Sequence, residues 1–298
     1  MHPLRFGLSR FAQSATDWKD HAQSVEECGF DVLWAPDHLF HFQPDQPMLD
    51  GWMTLAAWAA VTERIRLGVL VTNLSWRSPV LIARAAVALD QISSGRFELG
   101  LGVGAFADQA MANVLELSSA ERLARLDEGV RVIDRLLRGD ASPFSGYFTT
   151  YTSASLAPGC VQHPRLPITI GANGDRALQV AARHADSWNT WGGSEIPIGE
   201  FFAASESRTR RLDQYCNDVG RDPSTLRRSL LVYRRFIDPW AERGVAEDLV
   251  ERFAAIGFTE FVFNWPSDDQ WSVFEHFAQE VMPGMRTGGF GDCSGRSL

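Results

Sequence analysis

A carboxylic acid and an imidazole, Asp37 and His38, follow directly on Phe30-Asp31-Val32-Leu33-Trp34-Ala35-Pro36. An imidazole can take and give a proton near neutral pH, and an adjacent carboxylate can orient it. The run from Phe30 to Ala35 is apolar on both strand faces apart from Asp31, the pattern of a parallel strand buried on both sides. Proline cannot donate to a ladder, so the strand ends at Pro36. In a barrel, Asp37 and His38 would then stand at the carboxyl end of a strand, where such barrels do their chemistry. The plainer alternative is a helix cap by Asp37 beside a solvated His38.

Two glycine segments are the next candidates. Leu99-Gly100-Leu101-Gly102-Val103-Gly104 puts glycine at alternate positions and leaves one strand face bare. Either a crowded barrel interior needs small residues there, or a flat ligand lies against the backbone of Gly102, Val103 and Gly104. The spacing is not that of the dinucleotide fingerprint. Gly171-Ala172-Asn173-Gly174-Asp175-Arg176 follows a strand and opens a helix. Such a turn aims backbone N–H groups out of the positive end of the helix dipole, a natural phosphate seat to which Arg176 could add charge. A tight turn without ligand is the alternative.

Trp34, Phe40, Phe42, Trp76, Phe106, Trp188, Trp191 and Trp265 fall at strand ends or in the loops that follow, which suggests an apolar cavity for a planar ring. Hydrolytic and metal chemistries find less support. GxSxG and HExxH are absent, and His38 and His41 lack a cluster to complete a metal site.

These residues need a scaffold, and the chain supplies a regular one. Strands are expected at Leu4 to Ser9, Phe30 to Ala35, Arg66 to Thr72, Arg96 to Leu101, Ile168 to Ile170, Ser187 to Trp191, Leu226 to Phe236 and Glu260 to Asn264, alternating with helices. Eight such units in 298 residues make a closed (β/α)₈ barrel, an α/β fold of one domain over residues 1–286. Residues 140–167 read as an insertion with a hairpin near Tyr147 to Thr152, and 287–298 as a loose glycine- and serine-rich tail. Thr16 and Ser78 are expected to cap helices, the latter with Pro79 at the first helical position. The helices over 52–61 and 78–92 have almost no polar face, so a homodimer through them is expected.

Composition narrows the class. With 45% hydrophobic and 22% charged residues the chain is an ordinary globular one, and its net charge of -9 argues against nucleic-acid and anionic-membrane surfaces. Four cysteines without metal-type spacing suit a reducing cytoplasm. Met1 runs into the first strand too soon for a signal peptide, and no apolar run approaches a membrane span.

In the segments GFDVLWAPDH, RIRLGVLVTNLSWRSPVLIARAAVALDQISSGRFELGLGVG and PITIGANGDRALQVAARHADSWN, the chain resembles the luciferase-like monooxygenase family. Their order and spacing extend from Leu4 to about Arg286. The resemblance implies a flavin-type oxidoreductase that binds coenzyme F420 or FMN non-covalently in reduced form. The ring would lie in the barrel mouth and the phosphate at Asn173-Gly174, within the turn of Gly171, Ala172, Asn173, Gly174 and Arg176. It also implies a non-prolyl cis peptide or bulge near Val69-Leu70 behind the ring, cofactor contact at Thr72, and proton transfer by His38 with Asp37 orienting it or touching the ring. Many members carry a Gly-Trp or Gly-Glu element and an acid after LGLGVG, where this chain reads Ala105-Phe106-Ala107-Asp108-Gln109. The expected activity is hydride transfer between reduced F420 and a small organic substrate. The alternatives are monooxygenation with reduced FMN and O2, a flavin-binding barrel without turnover and, more remotely, a metal-dependent hydrolase.

Overall fold

Strand pairing puts the Asp37-His38 segment on the rim of a closed cylinder. The computed structural model describes residues 2–11, 18–41, 46–104, 117–193, 196–234 and 236–287. Eight parallel strands among them form the barrel: β1 (Arg5–Ser9), β2 (Val32–Ala35), β3 (Arg66–Asn73), β4 (Phe97–Gly102), β7 (Ile168–Gly171), β8 (Ser187–Thr190), β9 (Arg227–Val232) and β10 (Glu260–Asn264). Their order around the barrel is β1-β10-β9-β8-β7-β4-β3-β2, and β1 closes it by pairing with both β2 and β10. All eight lie where the alternating pattern puts them, although β9 ends at Val232, short of Phe236.

Helices α1 (Trp18–Glu27), α2 (Gly51–Val61), α3 (Pro79–Ile92), α4 (Ser119–Leu137), α5 (Asp175–His184), α6 (Phe201–Asp218) and α7 (Val245–Ala254) alternate with the strands. Most of the buried apolar side chains lie between strands and helices in one continuous cluster. α8 (Trp271–His276) runs through a π-helical stretch, Phe277–Val281, into α9 (Met282–Arg286). Arg286 ends the described helices on Asp31 at 2.7 Å, beside the amide of Phe6 that the same carboxylate accepts.

The insertion holds a short antiparallel hairpin, β5 (Phe144–Ser145) and β6 (Thr150–Tyr151), which starts earlier than expected. Its turn is fixed by the Glu128 carboxylate, which accepts the amides of Tyr147 and Phe148 at 2.7 and 2.9 Å. Ser78 caps α3 by position, but its hydroxyl makes no capping bond; Asp50 caps α2 through the amide of Met53 at 2.9 Å. Thr16 and nearly all of the expected tail lie outside the described residues. None of the described helices is long and apolar enough to cross a membrane.

Inside the barrel, Val32, Trp34, Leu70 and Val262 form a separate buried cluster, with Val71 and Leu231 packed on it. The Trp34 indole fills the middle. A Cβ on Gly68 would sit 2.2 Å from its ring, and one on Gly7 would sit 3.2 Å from it and 2.7 Å from Val32 Cγ1, so both positions have no room for a side chain. Below it, at the amino ends of the strands, Glu98 accepts from Arg5 at 2.7 and 3.0 Å and from Arg66, and Glu260 lies 3.5 Å from Arg5. Burial pushes the Glu98 carboxyl up, but the Arg5 and Arg66 guanidiniums outweigh it and hold it at about 2. At Glu260 burial wins and the carboxyl is pushed up.

Candidate active site

The carboxyl ends of β2, β3, β4, β7 and β8 are consecutive around the barrel, and they bring the expected site segments to one rim. His38 lies there half-buried, three residues past the end of β2. The Phe11 ring, beyond the end of β1, stands between two imidazoles, 6.0 Å from that of His38 and 4.9 Å edge-on from that of His41.

The partners of Asp37 in the structure are residues other than His38. Its side chain is buried, and both oxygens are engaged away from His38. Arg77 donates from Nε and Nη2 at 2.9 and 2.8 Å, Thr72 from its hydroxyl at 2.8 Å, and Trp52 from its indole N–H at 3.3 Å. Burying a carboxyl group costs free energy, and these four donated hydrogen bonds offset that cost. Thr72 is drawn into the same set, since its hydroxyl also accepts from Trp52 at 2.8 Å. That fully buried hydroxyl is therefore engaged with Trp52 and Asp37.

The expected irregularity behind the ring exists, one bond further on. The non-prolyl cis peptide is Leu70–Val71, and the β3–β4 register moves from Val69↔Leu99 to Thr72↔Leu101, one extra residue on β3. The extra residue explains the correction. Val69 packs into the outer core, Leu70 into the interior cluster, and the half-exposed side chain nearest the mouth is that of Val71. Val69 and Val71 together account for the bare face of β4. A Cβ on Gly102 would lie 2.5 Å from Val71 Cγ2, on Gly171 3.1 Å from Cγ1, and on Gly100 2.1 Å from the Val69 carbonyl oxygen. The crowded-interior reading thus holds at Gly100 and Gly102. Gly104, at φ +80°, faces Asn73, and the Val103 carbonyl accepts from Ser75 at 2.9 Å.

The turn after β7 has the features of an anion seat. Gly174 caps α5 and contributes no side-chain bond, so among the described residues no side chain caps the first amides of that helix. Ala172 is held by Trp188, whose indole donates to its carbonyl at 2.8 Å, and Asn173 by the Thr190 hydroxyl at 2.6 Å. Arg176, expected to add charge, is exposed. The cation that reaches the turn from the protein side is Arg208 on α6. Its side chain is buried, its Nε donates to the Asn173 carbonyl at 3.1 Å and its Nη1 to the Thr190 hydroxyl at 3.3 Å. Among the described residues it has no carboxylate partner, whereas Arg211, one turn on, pairs with Asp175. Burial, with Arg211 nearby, holds Arg208 down to about 10. Sequence reasoning missed this residue, although a signal was present. Arg208 falls on the same helix face as Phe201, Ser205 and Leu212, a charged residue on a buried stripe.

The aromatic expectation divides. Trp34 fills the barrel and Trp188 the outer core, while Trp76 lies on the outside beneath the Arg77 guanidinium at 4.3 Å. Trp191, edge-on to Tyr233, and Trp265, under Arg10 at 4.3 Å, remain half-buried at strand ends. Phe40 is exposed, while Phe42, Phe106 and the segment Ala105 to Gln109 lie outside the described residues.

A family model described as luciferase-like monooxygenase matches residues 3–234. An F420-dependent glucose-6-phosphate dehydrogenase of Microbacterium testaceum is 25% identical over 338 residues, which take in 95% of this chain and 98% of that protein. An F420-dependent hydroxymycolic acid dehydrogenase of Mycobacterium tuberculosis is 30% identical over 208 residues, 69% of this chain and 55% of its own length. The solved structure of an F420-dependent secondary alcohol dehydrogenase, in complex with an F420-acetone adduct, superimposes with a TM-score of 0.82 at 18% identity, covering 95% of this chain and 99% of that one. At that identity the likeness speaks to the fold alone.

Proposed function

Because this chain belongs to the luciferase-like monooxygenase family, we propose that it is an oxidoreductase that uses coenzyme F420 and passes a hydride between it and a small organic substrate. The observation that carries the reading is the buried guanidinium of Arg208 at the open amino end of α5, on the rim that also bears His38. A buried cation that has no carboxylate partner among the described residues, beside a helix start whose N-cap is Gly174, fits a phosphate monoester. Asn173, Gly174 and Arg208 would hold that phosphate, and the backbone around Val71 and Gly171 would face the ring. When bound, the cofactor supplies the redox step, and the protein supplies orientation, water exclusion and a proton site.

His38 holds or moves the proton that accompanies the hydride, and Asp37 acts by fixing the turn that carries it. The names of two relatives favour F420 over FMN. Titration of the purified protein with F420 and with FMN, followed by absorbance, tests the reading, together with F420 reduction by secondary alcohols, 2-propanol first. His38→Ala should keep F420 binding within about threefold and lose about 10² or more of turnover. Binding of FMN alone transfers the reading to oxygen chemistry, and binding of neither cofactor removes it.

The reading includes a homodimer in the cytoplasm. The groove between α2 and α3 exposes Met53 and Leu81 at 68% and 69%, which a second copy would cover, and Cys28, Cys160 and Cys216 are free thiols. Leu81→Glu should turn a dimer into a monomer in sedimentation; a wild-type monomer at micromolar concentration refutes the pairing.

A further inference from the structure

We infer that Arg77 is a positioning residue of the reaction, acting on His38 through Asp37. The inference rests on the role given to His38 above and goes beyond it, since Arg77 lies in the loop between β3 and α3. Asp37 is 2% exposed and shares a peptide bond with His38. Arg77 takes both of its oxygens at 2.8 and 2.9 Å, a two-point pairing that fixes direction as well as charge. The guanidinium is itself held by the Trp76 ring at 4.3 Å and by Asp50 at 3.2 Å.

The other side of the turn is clamped as well. A Cβ on Gly51, the first residue of α2, would stand 2.3 Å from the Pro36 carbonyl oxygen, so helix and turn are in backbone contact. Thr72 and Trp52 complete the set around Asp37. Three elements therefore converge on the residue before His38. Without the guanidinium, Asp37 is a buried carboxylate with two neutral donors, and it relaxes toward water and takes the turn with it. A displacement of about 1 Å at a proton-transfer group costs on the order of 10² in rate.

The test uses Arg77→Gln, Arg77→Lys and Asp37→Asn in the full chain. It reads F420 affinity by titration and the His38 ring signals by ¹H–¹⁵N NMR, the latter assigned with His38→Ala. Arg77→Gln should leave F420 affinity within about threefold while shifting or splitting the His38 ring signals, with those of His184 unmoved. Turnover of any secondary alcohol that the wild type accepts should fall at least tenfold. Arg77→Lys, which pairs at one point, should fall between, and Arg77→Gln should add less than twofold to His38→Ala. Unchanged His38 signals in Arg77→Gln overturn the inference, as does a turnover loss that recurs in full on the His38→Ala background. Should Arg77→Gln fail to melt cooperatively, Asp37→Asn is read by the same criteria. The two readings fail separately. Wild-type turnover in His38→Ala removes the role of His38, whereas unmoved ring signals beside an inactive His38→Ala remove that of Arg77.

Discussion

Arg208 and Asn173 meet through one hydrogen bond of 3.1 Å, from a buried guanidinium to a main-chain carbonyl. A neutral oxygen does not discharge a buried cation. Burial and Arg211 hold the group down to about 10, so its cost to folding is present at every pH below that value and is relieved above it. An anion at the amino end of α5 relieves it at neutral pH. Inorganic phosphate at millimolar concentration should therefore raise the Tm of the wild type by a few degrees. Arg208→Met should lose that response and bind F420 at least tenfold more weakly, with an unliganded Tm equal to the wild type or above it. Calorimetry and titration read both effects, and a phosphate response in Arg208→Met refutes the assignment.

The two carboxylates under the barrel should respond to neutralisation with opposite signs. Glu98 is held at about 2 by Arg5 and Arg66 against its burial, so its pairing stabilises the fold above the usual carboxylate range and is lost as pH falls from about 4.3 toward 2. Glu260 is pushed up by burial, so the stability linked to its neutral form is full below the usual range and is lost as pH rises. At pH 7, Glu98→Gln should destabilise by about 3 kcal/mol or more, because it leaves buried cations unpaired. Glu260→Gln should be neutral or stabilising. Urea denaturation of the two variants checks the contrast.

The glycines of β4 should be replaceable only in concert with β3. Gly102→Ala sets a Cβ 2.5 Å from Val71 Cγ2 and should cost about 1–3 kcal/mol, and Val71→Ala in the same chain should recover most of it. Gly100→Ala meets the Val69 carbonyl oxygen at 2.1 Å and should not be rescued this way, because the obstacle is backbone. Thermal melts of the singles and the double decide.

Much of the scaffold was legible because strand and helix periods are local properties. The eight barrel strands and their turns, down to Pro36 and Gly171, announced themselves by residue type. What escaped was set by contacts distant in sequence. Arg77 reaches Asp37 across forty residues and Arg208 reaches Asn173 across thirty-five, and neither spacing has a local signature. The cis bond lies one position beyond Val69-Leu70 because nothing in Gly68-Val69-Leu70-Val71-Thr72 tells which residue is the extra one. The bare face of β4 is ambiguous in sequence for the same reason, since its causes, the Val69 carbonyl and the Val71 side chain, lie on the neighbouring strand.

The Trp34 indole, wedged against Gly7 and Gly68 with Val32, Leu70 and Val262 around it, divides the cylinder into two compartments. A file of water needs polar partners at every step, and this stopper offers almost none. The ionisable groups of Arg5, Glu98 and Glu260 are thus cut off from the rim, and protons reaching the His38 imidazole have to come over the lip of the cylinder rather than up through its core.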